Sequence, residues 1–130
     1  MAESRNLKRN TYTIYDDNTI GTVQIADEVV AIIAGLAATE VDGVVSMAGN
    51  ITNDTVGKLG MKNLSRGVKV EVLEGVVSVR LALNIRYGYS IPETCQKVQE
   101  KVKAAIENMT GLEVADVNIS IAEVVLEGTK

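Results

Sequence analysis

The sequence contains no histidine, tryptophan or phenylalanine, and it has one cysteine and one proline in 130 residues. Without histidine the chain alone cannot form a Ser-His or Cys-His pair, because both depend on an imidazole base. A zinc site is not expected, since zinc is held mainly by several cysteine and histidine side chains. Gly57-Lys58 lacks the leading glycine and the following hydroxyl residue of a P-loop. We therefore expect no catalytic residue, metal or cofactor, and predict that the chain is not an enzyme.

The single cysteine, Cys95, cannot form a disulfide within the chain, which fits a reducing cytoplasm. It falls among the apolar positions of a predicted helix, so we interpret it as a small core residue rather than a nucleophile. The longest apolar run, Val29–Ala38, is well short of the ~20 residues needed to cross a bilayer. The first 18 residues contain no apolar run and predict no secretion signal. We expect a cytoplasmic protein with no direct membrane insertion, associated with a membrane only through a partner.

Length and composition indicate one globular domain. Hydrophobic residues make up 46% and charged residues 23% of the chain, close to the values of ordinary soluble domains. We divide the chain into a flexible N-terminal tail (1–18), one domain (19–127) and a short C-terminal end (128–130). A short strand at Tyr12 to Tyr15 is the alternative to disorder within the tail.

Periodicity predicts the order β-α-β-(short helix or loop)-β-β-α-β, an α+β two-layer sandwich with two main helices on one face of one sheet. Strands are predicted at 21–25, 44–48, 68–73, 77–87 and 112–125, and helices at 27–40 and about 91–110. The segment 49–67 is rich in glycine and asparagine and predicts a mobile, partly helical excursion.

The best-defined local feature is a hairpin turning at Glu74-Gly75. Folding about this two-residue turn pairs residue 73 with 76, 72 with 77, 70 with 79 and 68 with 81. The alternating valines then meet on one face, while Lys69 falls opposite Arg80 on the other.

The two predicted helices differ in how much apolar surface they carry. The second begins with a capping box, Ser90 to Glu93, and has one apolar stripe: Cys95, Val98, Val102, Ala105, Ile106 and Met109. The first, with Asp27 as its expected N-cap, is apolar nearly all round. Because a sheet covers only one stripe of a helix, this excess predicts a second buried side, against the other helix, the tail or another subunit.

The net charge is −4, from 13 basic and 17 acidic residues, which disfavours nucleic acid as a partner. The absence of phenylalanine and tryptophan also leaves little to stack on bases. Basic residues nevertheless cluster within and after the glycine-rich segment. A solvated loop is one interpretation, and a patch that docks an acidic protein, anionic lipid or RNA is the other. The candidate patch comprises Lys58, Lys62, Arg66, Lys69, Arg80 and Arg86.

Six short segments together resemble the bacterial alkaline shock protein family, also called the envelope stress response family, and most closely its small Gram-positive members. The matching segments are Gly21–Val30, Ile33–Ala38, Val41–Val44, Ser65–Val70, Tyr87–Pro92 and Met109–Val114. The resemblance covers about residues 20–125 in the order found in the family.

The resemblance implies a cytoplasmic, non-enzymatic protein of cell-envelope stress response and homeostasis. It implies a protein-interaction module that forms homo-oligomers and binds a membrane-anchored partner protein. The alternative it leaves open is a regulator of a fatty-acid synthesis enzyme, acetyl-CoA carboxylase, by direct contact. No catalytic residue is carried over with the resemblance.

Overall fold

The structure, a computed structural model, describes residues 11–17, 20–48 and 66–126. Six strands and two helices occur in these ranges, and the α+β class is confirmed. The elements are β1 (Thr11–Asp17), β2 (Gly21–Ala26), α1 (Asp27–Thr39), β3 (Val44–Met47), β4 (Val68–Leu73), β5 (Val76–Arg86), α2 (Ile91–Thr110) and β6 (Glu113–Val125).

The strands divide between two sheets rather than the one that was predicted. β1 pairs antiparallel with β2 in a two-stranded sheet, joining Thr11 to Ala26 and Asp17 to Gly21. Residues 11–17 of the segment predicted as a tail thus form a strand, which includes the alternative strand predicted at Tyr12 to Tyr15. Polar composition favoured disorder, but pairing with β2 gives this segment the backbone hydrogen bonds that it lacks alone.

The other sheet has four strands and is built around β5. β3 and β4 lie end to end along one side of β5, both antiparallel to it, and β6 runs parallel to β5 along the other side. Ala82 joins the two short strands, since its carbonyl accepts the Ala48 N–H at 2.8 Å and its own N–H donates to Gly67 O at 2.9 Å.

The segment 49–65 lies outside the described residues, and so does most of the excursion predicted at 49–67. The described residues that flank it, Ala48 and Gly67, both bond to Ala82 on one side of the sheet. Gly67 has φ +76, and a Cβ there would come within 2.8 Å of Ala48 O. Glycine is therefore required where the chain rejoins the sheet, both for the backbone conformation and for the space.

The predicted hairpin register is confirmed in full. Val68 pairs with Leu81, Val70 with Val79, and Leu73 with Val76. Glu74 and Gly75 both have positive φ, +54 and +79, as a type I′ turn requires. The inward residues of β5 are buried, and its outward residues are half-buried or exposed. Lys69 lies opposite Arg80 as expected.

Both helices cover the same face of the four-stranded sheet and share one core with it. Val30 and Ala34 of α1, Val98 and Val102 of α2, and Leu81 of β5 belong to one buried cluster. Thr94, Val98, Val102, Ile106 and Thr110 form the buried stripe of α2. Met109, which the sequence pattern placed in that stripe, is instead 69% exposed. It lies one residue before Thr110 and therefore points away from the sheet.

One predicted helix cap is confirmed and one is wrong. Ser90 is the N-cap of α2 and its hydroxyl accepts the Glu93 N–H at 3.4 Å. The cap of α1 is Ala26, which makes no side-chain capping bond, and Asp27 is already the first helical residue. β2 continues in extended conformation to Ala26, so the helix starts directly from the strand. Asp27 and Glu28 still lie in the first turn, where acidic side chains are favourable.

Candidate functional site

The face of the four-stranded sheet opposite the helices, hereafter the open face, carries Lys69 and Arg80 of the predicted basic patch. Lys58 and Lys62 lie outside the described residues. Lys69 and Arg80 are directly opposite each other and exposed, and Arg66 is exposed just before β4. Arg86 lies six residues beyond Arg80 on β5, about 20 Å along the strand. The structure therefore brings Lys69 and Arg80 together but leaves Arg86 apart.

The open face is polar and mixed in charge rather than uniformly cationic. Ser78 donates a hydrogen bond to Asp116, and Asn118 donates to the same carboxylate at 2.9 Å. Asn84 donates to Ser46 at 3.1 Å across β5 and β3. Glu71 and Asp116 thus offset the positive charges around Arg80. Docking of an anionic partner on the basic patch stays a prediction.

An apolar accessible surface lies on the helix layer, in a groove between α1 and α2 of about 510 Å³. Val29 and Leu36 of α1 are 44% and 45% exposed, although both are large aliphatic side chains. This surface is hereafter the helix groove. It is lined by Val29, Ile32, Ile33, Leu36, Ala37, Glu40, Ala105 and Met109.

The helix groove accounts for the excess of apolar residues on α1. One side of that helix packs on the sheet and another against α2. A third side leaves Val29 and Leu36 only about half covered by the described residues. The sequence signal for it was the nearly all-round apolar pattern, which did not reveal that Met109 and Ala105 of α2 complete the groove.

The charges along the helix groove are unevenly shared between the two helices. Glu40 follows α1 and forms an ion pair with Lys101 of α2 at 3.5 Å. Glu28 is exposed at the other end of α1, and α1 itself contains no basic residue. Ion pairs this exposed add little to stability, but they set the sign of the rim that a partner meets.

Within the described parts of the chain, no group of three or more His, Cys, Asp or Glu side chains could hold a metal ion. Cys95 is half-buried, and burial raises the pKa of its thiol. A raised pKa reduces the thiolate fraction, so Cys95 is a poor nucleophile at neutral pH. No helix in the same residues is long and apolar enough to cross a membrane.

The geometry defines a two-layer α+β domain whose two distinctive surfaces are an apolar groove on the helices and a polar open face on the sheet. The chain belongs to the alkaline shock protein 23 family, described as having a cell envelope-related function, and residues 15–126 match it. The resemblance inferred from the six segments is thereby confirmed.

Related proteins come from Gram-positive bacteria. YqhY of Bacillus subtilis is 38% identical over 107 residues, which are 82% of this chain and 79% of that protein. YloU of the same organism is 35% identical over 103 residues, 78% of this chain and 86% of that protein. A stress response regulator gls24 homolog of Streptococcus pyogenes is 29% identical over 80% of this chain and 59% of its own length.

Solved structures offer only a loose likeness. A MamM CTD structure superposes with a TM-score of 0.47 at 13% identity, covering 75% of this chain and 94% of that one. This likeness carries no functional argument.

Proposed function

We propose that the chain is a non-enzymatic, cytoplasmic protein-interaction module of the cell-envelope stress response. It associates with itself and binds a membrane-anchored partner protein. The family description and the regulator names of its streptococcal relatives support the envelope and stress-response role. The observation that carries the binding role is the helix groove, because large apolar side chains exposed together mark surfaces that other proteins cover.

The dimensions of the helix groove fit an amphipathic helix of the partner. Val29 and Leu36 are seven residues apart, which is about 10 Å or two turns along α1. A helix that presents apolar residues at i, i+3 or i+4, and i+7 can place one anchor beside each of them. Ile32 and Ala37 line the floor between the two sites.

The rim charges favour a basic segment beside a membrane. Glu28 is exposed at the beginning of α1, which contains no basic residue, whereas Glu40 after its end is paired with Lys101 of α2. Cytoplasmic segments next to membrane-spanning helices are enriched in lysine and arginine. An amphipathic helix in such a segment would meet Glu28 with opposite charge and the helix groove with its apolar face.

The proposal is tested with the variant Leu36→Glu in the full-length chain. The tagged protein is expressed in its own bacterium, and proteins bound to it are captured from detergent-solubilised membranes. We expect the native chain to recover a membrane-anchored protein and Leu36→Glu to lose it. A peptide covering the basic cytoplasmic segment of that protein should bind the purified variant at least about tenfold more weakly, as measured by fluorescence anisotropy.

Leu73→Glu is the matched control, since Leu73 is 76% exposed at the hairpin tip, far from the helix groove. It should capture the same protein as the native chain. Equal capture by both variants would remove the helix groove as the binding site. Recovery of acetyl-CoA carboxylase subunits in place of a membrane protein would support the alternative, a regulator of lipid synthesis.

A further inference from the structure

The first half of β6 has its outer edge covered by side chains of α2. On the side of β6 away from β5, Lys103 donates to Val114 O at 3.1 Å, and the Val114 N–H donates to the Glu107 carboxylate at 3.0 Å. Gln99 donates to Val117 O at 3.0 Å. Long polar side chains thus satisfy backbone groups that an edge strand otherwise offers to another chain.

Beyond Val117 the side chains of α2 no longer bond to the outer edge of β6, because this flank of the helix changes from polar to apolar. Gln99, Lys103 and Glu107 are spaced by four residues and lie beside the buried stripe of the helix. One and two turns earlier the same flank carries Cys95, which is half-buried, and Ile91, which is 40% exposed. These apolar side chains offer no comparable hydrogen bond.

The next outward-facing backbone groups of β6 belong to Ile119 and Ile121. Backbone direction alternates along a strand, so residues 117, 119 and 121 face away from β5, while Asn118 and Ser120 face it. Among the described residues, no side chain bonds to the outward groups of Ile119 or Ile121. This stretch has no proline or lysine, which commonly guard an exposed edge.

We infer that a second copy of this chain pairs with β6 here, antiparallel and centred on Ser120. Ile119 of one copy then lies opposite Ile121 of the other, and these two pairs exchange about four backbone hydrogen bonds. The flanks of the two α2 helices, with Cys95 and Ile91, approach each other above the isoleucines. This inference rests on the proposed function in one respect, since it specifies how the proposed self-association occurs.

The sequence of β6 favours a second copy as the occupant. In the register centred on Ser120, the paired stretch Ile119–Ile121 ends before Ala122 and places no like charges opposite each other. A register centred on Glu123 would place two carboxylates opposite each other and would cross the irregularity at Ala122, where the β5–β6 pairing shifts. A two-fold pair also occupies the open stretch of both copies, so the assembly closes as a dimer.

Introducing a charge at Ser120 tests the inference, because this exposed residue would lie opposite itself on the open face. Ser120→Glu and Ser120→Lys are each expected to raise the dimer dissociation constant of the purified chain about tenfold, as measured by sedimentation at low salt. An equimolar mixture of the two should recover the dimer. Thr22→Glu and Thr22→Lys, at an exposed position of β2, should behave like the native chain.

Cys95 provides a second measurement in the native sequence, since it is the only cysteine. At mildly alkaline pH, where more of the Cys95 thiol is ionised, a short bis-maleimide should link two native copies covalently, and the yield should fall in Ser120→Lys but not in Leu36→Glu. A native chain that sediments as a monomer, or Ser120 variants that dimerise like the native chain, would overturn the inference. Such a result would not argue against partner capture through the helix groove. Equally, loss of partner capture in Leu36→Glu would not argue against the dimer.

Discussion

The Glu107 side chain bonds to residues of two elements, α2 and β6. Its carboxylate accepts the Val114 N–H at 3.0 Å and bonds to Lys103 Nζ at 3.1 Å. These two bonds lower the pKa of Glu107 below its ordinary value of 4.5. The bond from the Val114 backbone is the larger cause, and the bond from Lys103 is the second. The residue therefore links α2 to the beginning of β6 as long as it is ionised.

This lowered pKa predicts a specific acid sensitivity. The unfolded chain binds the Glu107 proton more readily than the folded chain, so the contribution to stability is present above pH 4.5 and is lost as pH falls through the lower folded pKa. Glu107→Gln should flatten the decline of the thermal midpoint in this acid range. The measurement is calorimetry over a pH series.

Glu100→Gln makes the same change of net charge at an exposed position of the same helix and serves as the control. If both variants follow the native decline, the bond from Val114 to Glu107 does not contribute to acid stability.

At the scale of elements, the β4–β5 hairpin is the part of the fold that the sequence predicted most completely. Its register follows from the valine alternation and a two-residue turn, and all of this information is local. The strand on the other side of β5, which is β6, could not be predicted in the same way. β6 pairs with β5 in parallel across the whole of α2, and alternation alone specifies no partner at that distance.

The turn itself contains one residue that is poorly suited to its backbone. Glu74 has φ +54, and asparagine tolerates this left-handed conformation better than glutamate does. Glu74→Asn should raise the free energy of unfolding by about 0.5–1 kcal/mol, within the usual gain from improving local geometry. Denaturant titration measures the change.

Glu71→Asn is the comparison for the turn variant, since Glu71 lies in the extended strand β4. It should destabilise the protein, because asparagine is disfavoured in strands. A loss of stability in both variants would show that the backbone at Glu74 does not limit the hairpin.

At the scale of the whole molecule, one core joins both helices to the four-stranded sheet. Ile106 of α2 is fully buried within it, three residues from Met109, which is 69% exposed in the helix groove. Ile106→Ala should lower the free energy of unfolding by about 2–5 kcal/mol, while Met109→Ala should change it by less than about 0.5 kcal/mol.

Denaturant titration followed by both circular dichroism and tyrosine fluorescence checks this prediction. Because the core is shared, Ile106→Ala should shift both signals together. Different transition midpoints for the two signals would contradict a single cooperative core.

The sequence by itself determined the α+β class, the hairpin register, the cap at Ser90 and the family, because each follows from neighbouring residues or short motifs. Only the tertiary structure decided that β6 runs parallel beside β5, that Met109 faces outward to complete the helix groove, and that α2 covers just half of the β6 edge. These features depend on side chains brought together from distant parts of the chain, and their contacts leave no periodic signal in either segment alone.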